Sequence, residues 1–198
     1  MGERRGCEGA AVELPDQAPT PTGVKVCPSV RGASNWMSTS YNPDTQLLYV
    51  PTLEQCGNVV TSTKMPEPGK GQAGGGGGQF PAEPGKFYMR AIDPKTGARR
   101  WEYPMTGPAT MWAGAVSTAG GVLFFGEDDG QWVALDAKTG KHLWHYNMGQ
   151  KLTASPMTFS LDGKQYVSIA SATDVLTFGL FEAAVSVPVP VVKESVTP

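Results

Sequence analysis

The sequence has few charged residues and no long apolar run, and each absence excludes a class of protein. Charged side chains make up 17% of the 198 residues, and the formal net charge is −2. Because no broad basic field is present, the composition argues against a nucleic-acid-binding protein. No stretch remains apolar over the roughly eighteen residues of a membrane span, so no transmembrane segment is predicted. The N-terminus, Met1–Glu8, is charged and shows no apolar region of the kind a signal peptide needs.

Segments with apolar residues at helical spacing are also missing, which argues against a helical protein. The chain instead has 25 glycines and 17 prolines, residues that form tight turns between short strands. These features predict an all-β fold. Five runs have the composition of strands: Leu47–Val50, Lys86–Ile92, Val122–Phe125, Trp132–Leu135 and Lys164–Ala170.

Changes in composition divide the chain into segments. Residues 1–24 are polar and proline-rich and are predicted to be a leader or linker, whereas residues 25–182 have the turns and strands of an ordered domain. Residues 65–86 interrupt that domain with glycines and prolines, and we expect a flexible surface insertion there. Residues 183–198 are predicted to be a disordered tail or an extended edge.

An internal repeat predicts the architecture. Ala91–Trp101 and Ala134–Trp144 share the frame A-x-D-x-K-T-G-x-x-x-W, and the two copies are 43 residues apart. Periods of about 40–50 residues with several strands per unit are typical of β-propeller blades. An open fan of blades would expose the apolar faces of its end blades. The repeat therefore favours a fragment of about three to four blades from a larger propeller over a chain that pairs with another.

Each part of the repeat has a structural reason. Its aspartate can close a turn by accepting hydrogen bonds from backbone N–H groups, and its glycine can supply the positive φ that such a turn often needs. The following strand then delivers Trp101 or Trp144 at a fixed distance from a small alanine. A large flat side chain beside a small one makes a good joint between adjacent sheets. We therefore predict a structural docking role, and no chemistry, for both tryptophans.

The repeat resembles the tryptophan-docking motif of quinoproteins, the enzymes that depend on pyrroloquinoline quinone (PQQ). Residues 25–182 as a whole are similar to the C-terminal part of PQQ-dependent methanol and ethanol dehydrogenases. The segments that carry this resemblance are Cys27-Pro-Ser29, Gly32-Ala-Ser-Asn-Trp36, Ser40-Tyr-Asn-Pro43, Leu48-Tyr-Val-Pro51, Met111-Trp-Ala-Gly114, Gly120–Gly126, Asp129-Gly130, Ser155-Pro-Met157 and Asp162–Val167.

The resemblance implies an eight-bladed propeller with PQQ and a calcium ion in its central channel. In that family an alcohol is oxidised by hydride transfer to PQQ, with an aspartate as general base. The resemblance further implies that Asn35 reaches the polar rim of PQQ and that Trp112 lies at the edge of the cofactor. It implies a structural disulfide between Cys27 and Cys56. It also implies a periplasmic parent protein that oxidises an alcohol and passes electrons to an acceptor such as a cytochrome c.

From the residues alone, these positions have simpler interpretations. Asn35 would be a turn residue and Trp112 a core aromatic. Cys27 and Cys56 could be two buried thiols of a cytosolic chain, although an exported parent favours a bond between them. Because the sequence has three cysteines, one of them is left over if a disulfide forms.

Two further groups are assigned no chemistry. His142 and His145 flank Trp144 on a strand, so we expect their side chains on opposite faces and no shared metal ion. Glu127–Asp129 lacks the spacing of a calcium loop and is predicted to be a polar hairpin turn. The catalytic aspartate and calcium ligands of the family belong to a part of the propeller upstream of this segment. No catalytic residue and no metal ligand is therefore assigned in this chain.

The substrate is left open by a departure from the family pattern. Methanol dehydrogenases carry a Gly-Gly-Trp-Pro segment near the C-terminus, where this chain has Ser171–Gly179. This difference places the chain in another branch of the family.

Three hypotheses follow for the function. The first is a segment of a periplasmic PQQ-dependent alcohol dehydrogenase that is inactive alone. The second is a non-catalytic propeller scaffold that binds partners by strand addition, although such a scaffold has no need of the motifs around Asn35 and Trp112. The third is a degenerate remnant that does not fold.

Overall fold

The computed structural model describes Pro15, residues 18–61, 79–81, 84–108 and 113–180, with only the backbone of residues 79–81. Every regular element in these residues is a β-strand, and the all-β prediction is confirmed. None of them forms a helix that could cross a bilayer. The strands are, in chain order, β1 (Val24–Val26), β2 (Ser40–Asn42), β3 (Leu47–Glu54), β4 (Gly57–Val59), β5 (Gln79–Pro81), β6 (Lys86–Ile92), β7 (Arg99–Pro104), β8 (Ala115–Ser117), β9 (Val122–Gly126), β10 (Gln131–Asp136), β11 (His142–Asn147), β12 (Met157–Leu161), β13 (Lys164–Ser171) and β14 (Asp174–Gly179).

Three antiparallel sheets follow one another along the chain. The first sheet has the order β2-β3-β6-β7, the second sheet β8-β9-β10-β11, and the third sheet β12-β13-β14. Strands that are neighbours in one of these sheets are also neighbours in sequence, because tight turns connect them. The exception is the longer connection between β3 and β6. That connection contains β4 and β5, which join β1 in a small separate sheet with the order β1-β4-β5.

The first and second sheets pack against each other through alternating apolar side chains. On β6, Phe87, Met89 and Ala91 are buried while the residues between them are not, as period-two alternation requires. Leu123 and Phe125 of β9 lie in one core with Met89 and Ala91. The repeated tryptophan frame spans β6–β7 and β10–β11, so each copy is the outer half of one sheet.

The second and third sheets share a separate core around Trp132. Its side chain is fully buried, and its ring meets Phe124 and Phe178 edge to face at centroid distances of 6.2 and 5.0 Å. Leu152 and Ile169 are buried in the same core as Trp132. Trp132 lies on β10, whose central residues are buried on both faces because a sheet packs on each side.

The far side of the third sheet is exposed and apolar. Met157, Leu161 and Val175 are all more than half exposed. Strand β14 pairs only with β13, so its other edge carries no strand among the described residues. The third sheet thus has one strand fewer than the first two.

Three predicted segments lie partly or wholly outside the described residues. Thr20, within the predicted leader, forms a parallel bridge with Val60, and β1 begins at Val24. Strand β5 lies inside the predicted insertion 65–86, most of which is outside the described residues. The predicted tail 183–198 is also outside them.

The prediction that His142 and His145 face opposite sides of a strand is wrong. His145 Nδ1 lies 3.2 Å from His142 Nε2. The register between β10 and β11 shifts at this point, because Ala134 faces Trp144 while Leu135 faces His142. The extra residue of such a bulge resets the alternation of side chains and brings both imidazoles to one side.

Candidate functional site

The segments that precede the first strands of the three sheets meet at one end of the fold. The Ala115 N–H donates to Ser38 O at 2.9 Å, and the Ser38 hydroxyl donates to Ala115 O at 3.2 Å. The Gly114 N–H donates to Ala154 O at 3.4 Å. A Cβ on Gly114 would collide with the hydroxyls of Ser38 and Ser155, so only glycine permits this approach.

Asn35 lies in the first of these segments, just before β2. Its Nδ2 donates to Arg31 O at 3.0 Å, and its Oδ1 accepts the Trp36 N–H at 2.8 Å. These bonds make Asn35 a turn residue, as the residue-level interpretation expects. Its side chain is exposed nonetheless, and the next residue, Trp36, is 59% exposed. The segment therefore presents an amide and an indole at the surface.

Trp112, the second residue predicted to contact PQQ, lies outside the described residues. Ala113 and Gly114, which follow it, are buried where the second sheet begins. Gly114 bonds to the segment before the third sheet, and Ala115 bonds to the segment before the first sheet. The chain next to Trp112 therefore enters the same end of the fold as the segment that contains Asn35.

A disulfide links the chain that leads to Asn35 to the residues that follow β3. Cys27 and Cys56 are bonded, with their Cα atoms 4.4 Å apart. Beyond the disulfide, the Ser29 N–H donates to Gln55 O at 2.8 Å. The Leu53 N–H donates to Ala33 O at 2.8 Å. The chain leading to Asn35 is thus held to the end of β3 by one covalent link and two backbone hydrogen bonds.

Trp101 joins the first sheet to the second. Its Nε1–H donates to Ala137 O at 3.1 Å. Its ring stacks on Tyr49 at a centroid distance of 5.7 Å and lies over Gly140, where a Cβ would be 2.7 Å from the indole. The glycine of the frame is therefore required both by its φ of +73° and by the tryptophan of the preceding sheet.

The aspartates of the frame close their turns as predicted. Asp136 Oδ1 accepts the Thr139 N–H at 2.8 Å and the Thr139 hydroxyl at 2.7 Å. Asp93 Oδ1 accepts the Lys95 N–H at 2.9 Å. The Thr139 hydroxyl and N–H hold the pKa of Asp136 below its ordinary value, and the Lys95 N–H does the same for the pKa of Asp93.

Trp144 has different surroundings from Trp101. It is 39% exposed, and its ring meets Phe178 edge to face at 5.5 Å. No group in the described part of the chain accepts a hydrogen bond from its indole N–H. The turn equivalent to Ala137–Gly140 would follow β14, where the description of the chain ends.

The burial of Glu127 was not predicted from the sequence. The predicted polar turn is present, since the Gly130 N–H donates to Glu127 O at 3.1 Å. However, Glu127 is only 2% exposed, and burial raises the pKa of its carboxyl. Three consecutive acidic residues before a glycine read as a solvated turn, so the sequence carries no signal of this burial.

No metal site is evident in the parts of the chain that the structure describes. No three histidine, cysteine, aspartate or glutamate side chains there are arranged to hold an ion.

Comparison with known proteins decides the relationship. Residues 104–167 match the family model described as glucose/ethanol/alcohol dehydrogenase, beta-propeller domain. Quinoprotein alcohol dehydrogenase PedH of Pseudomonas putida is 36% identical over 154 residues, which cover 76% of this chain and 25% of that protein. The chain belongs to the quinoprotein alcohol dehydrogenase family. The lanthanide-dependent methanol dehydrogenase of Methylacidiphilum fumariolicum is 35% identical over 168 residues, covering 81% of this chain and 27% of that protein.

The fold of this quinoprotein segment agrees with a solved relative. The structure of the quinohemoprotein alcohol dehydrogenase from Comamonas testosteroni superposes with a TM-score of 0.72 at 31% identity. The match covers 84% of this chain and 26% of that one. The predicted family and the predicted partial β-propeller are thus confirmed, and the sheets are blades. The chain spans about a quarter of the length of the curated relatives it matches.

Proposed function

We propose that this chain is part of a PQQ-dependent alcohol dehydrogenase and forms one side of the cofactor pocket. The observation that carries the proposal is the convergence of Ser38, three residues after Asn35, with Gly114 and Ser155 at one end of the blades. Ligands of propellers and barrels bind where the inner strands of several sheets begin or end together, because loops from separate sheets can then surround one molecule.

The residues at this end fit the chemistry of PQQ. The cofactor is a flat quinone with carboxylate groups, so its site needs N–H donors at the rim and flat apolar side chains at the faces or edges. Asn35 Nδ2 carries two hydrogens and donates one of them to Arg31 O, which leaves the second for a ligand. Trp36 adds an exposed indole, and Trp112 is proposed as a further contact from the family match.

PQQ, when bound, would supply the redox chemistry by accepting a hydride from the alcohol substrate. This segment would contribute binding and orientation of the cofactor. We assign the general base and the calcium ligands to other blades of the parent protein, so the segment is proposed to be inactive alone. The alcohol and an electron acceptor such as a cytochrome c would be partners of the complete enzyme.

The disulfide supports an oxidising compartment for the parent protein. Bonds of the Cys27–Cys56 kind persist in the bacterial periplasm and are rare among cytosolic proteins. We therefore propose a periplasmic location.

PQQ titration of the 198-residue chain tests the proposal directly. Quenching of tryptophan fluorescence should report saturable binding, and Asn35→Ala should weaken it about tenfold, because a hydrogen bond to a charged group is lost. Asn147→Ala, an exposed asparagine on β11, is the matched control and should bind as the unaltered chain does. Absence of saturable binding, or equal affinities for all three proteins, would contradict the proposal and favour a non-catalytic scaffold.

A further inference from the structure

A single hydroxyl group lies between two carboxyl groups where the first and second sheets meet. Thr106 Oγ1 is 2.6 Å from Glu127 Oε2 and 2.7 Å from Asp129 Oδ2. Thr106 lies in the connection that follows β7, and the two acidic residues lie in the β9–β10 turn. We call these three residues the Thr106 clasp.

The two short contacts of Thr106 Oγ1 need two hydrogens if both are hydrogen bonds, and the hydroxyl has only one. A threonine hydroxyl has one hydrogen to donate, and an ionised carboxylate can only accept. Both separations are those of good O–H···O hydrogen bonds. Thr106 can donate its one hydrogen fully to one carboxyl only. Protonation of the other carboxyl, which would then donate to Thr106, satisfies the second short contact.

Burial decides which carboxyl holds the proton. Asp129 is exposed, so water can stabilise its charge, whereas Glu127 is buried. Glu127 Oε1 is also buried and has no hydrogen-bond partner in the described residues. An ionised carboxylate with an unpartnered buried oxygen is far more costly than a neutral carboxyl group.

We propose that Glu127 is a protonated positioning residue: it donates to Thr106 Oγ1, Thr106 donates to Asp129, and the clasp holds the β7–β8 connection on the β9–β10 turn. The direction of the pKa shift of Glu127 agrees with this arrangement. Burial raises that pKa most, and the charge of Asp129 raises it further, against the lowering effect of the Thr106 hydroxyl and N–H.

The other charged groups around Glu127 leave the proton in place. Lys151 Nζ pairs with Asp128 Oδ1 at 2.6 Å, and the Asp128 side chain is almost fully buried in that pair. Tyr103, on β7, has a pKa raised by burial and then by the charges of Glu127 and Asp129. This cluster thus combines one lysine with three acidic residues and a tyrosine. Protonation of Glu127 lowers the net negative charge of the cluster.

The clasp matters because of where the connection leads. Gly107, next to Thr106, packs directly on the turn, where a Cβ would lie 2.8 Å from Asp129 N. The same connection continues through residues 109–112 to Gly114 and β8. The clasp therefore holds the start of the connection that leads to Trp112, the proposed cofactor contact. This consequence rests on the proposed function.

Infrared spectroscopy of the 198-residue chain tests the proton without any cofactor. We expect the C=O stretch of a buried protonated carboxyl to persist above pH 4.5, the ordinary glutamate value. The band should be absent in Glu127→Gln and retained in Asp129→Asn. Loss of the band in Asp129→Asn alone, or its absence from the unaltered chain, would overturn the assignment.

The pH dependence of stability provides a second test. Because the folded-state pKa of Glu127 is raised, its favourable contribution is complete below the ordinary value of 4.5 and is lost as pH rises through the folded-state value. Urea midpoints should therefore fall over this range, and Glu127→Gln should flatten that fall. If calcium instead raises the midpoint of the unaltered chain but not of Glu127→Gln, a cation holds the carboxylates and the shared proton is wrong.

Hydrogen exchange tests the positioning role. Exchange at residues 105–108 should accelerate in Thr106→Val, which lacks the hydroxyl, and should stay slow in Thr106→Ser, which keeps it. It should also accelerate in the unaltered chain, after correction for intrinsic rates, once Glu127 ionises. Equal exchange in both variants would overturn the positioning role. None of these measurements uses PQQ, so failure of PQQ binding would leave the clasp standing and contradict only the proposed function.

Discussion

The indole N–H of Trp101 donates a hydrogen bond to the carbonyl oxygen of Ala137 across the boundary between two blades. Trp101 lies in the first copy of the repeated frame, and its acceptor Ala137 lies in the second copy. The first copy therefore supplies the tryptophan, and the second copy supplies the turn that receives it.

Replacement of Trp101 by phenylalanine should separate the hydrogen bond from the aromatic contact. We expect Trp101→Phe to lower the free energy of unfolding by about 1–2 kcal/mol, because the partly buried Ala137 carbonyl loses its donor. Trp144→Phe is the control, since the Trp144 N–H has no acceptor in the described residues, and it should cost less than about 0.5 kcal/mol. Urea unfolding of the two variants gives the comparison, and equal losses would contradict a docking role for the Trp101 N–H.

Two glycines with the same backbone conformation should respond differently to alanine. Gly140 and Gly97 have φ values of +73° and +72°, but only Gly140 lies against the Trp101 ring. Gly97→Ala should cost about 1 kcal/mol from backbone strain alone, whereas Gly140→Ala should cost about 2–4 kcal/mol because the new methyl group also displaces the indole. Thermal unfolding measures both changes. Similar losses would mean that the indole moves away at no cost.

Removal of the Cys27–Cys56 disulfide should destabilise the end of the fold that carries Asn35. The bond closes a loop with a sequence separation of 29 residues, for which the chain-entropy model gives about 3–4 kcal/mol. The double variant Cys27→Ser/Cys56→Ser should therefore melt well below the unaltered chain. Reductant should lower the melting temperature of the unaltered chain only. A reductant effect on the double variant would point to a disulfide between two chains through Cys7, the cysteine that remains.

Acid should weaken the turn that receives Trp101. The pKa of Asp136 is held below its ordinary value of 3.8 by the Thr139 hydroxyl and N–H. Its contribution is therefore present above the unfolded-state pKa and is lost as pH falls through the lower folded-state value. Midpoints of urea unfolding between pH 5 and 2 should fall less steeply for Asp136→Asn than for the unaltered chain. Thr139→Ser, which keeps the hydroxyl, should preserve the steep fall, and a parallel decline in all three would contradict this assignment.

The chain with PQQ and calcium should not oxidise alcohols by itself. The proposed base and calcium ligands lie in other blades, so dye reduction with a panel of primary alcohols should equal the background without protein. Turnover above that background would show that a general base is present within these 198 residues, and the proposed division of roles would be wrong.

The repeated frame allowed much of the fold to be predicted, while the site was predicted only in part. The Asp-x-x-Thr-Gly turn and the spacing to tryptophan are local features, so they indicated blades and the roles of Asp93 and Asp136 correctly. Asn35 has the turn contacts expected from its residue type, and its contact with PQQ stays a prediction. Trp112 also stays a prediction, since it lies outside the described residues.

Other features depend on contacts between distant segments. The facing imidazoles of His142 and His145 arise from a bulge that alternation alone does not reveal. The burial of Glu127 arises from the connection after β7, about twenty residues earlier in the chain, which covers an otherwise ordinary turn.

The sequence by itself determined five of the strands, the turn chemistry and the identity of the repeat, because each depends on residues within about ten positions of one another. Only the tertiary structure decided which group accepts the Trp101 N–H and which carboxyl is buried. The acceptor, Ala137, lies in a turn of the next sheet, and Glu127 is covered by the connection after β7. Burial and pairing depend on neighbours that the chain brings together from a distance, and a local motif does not specify them.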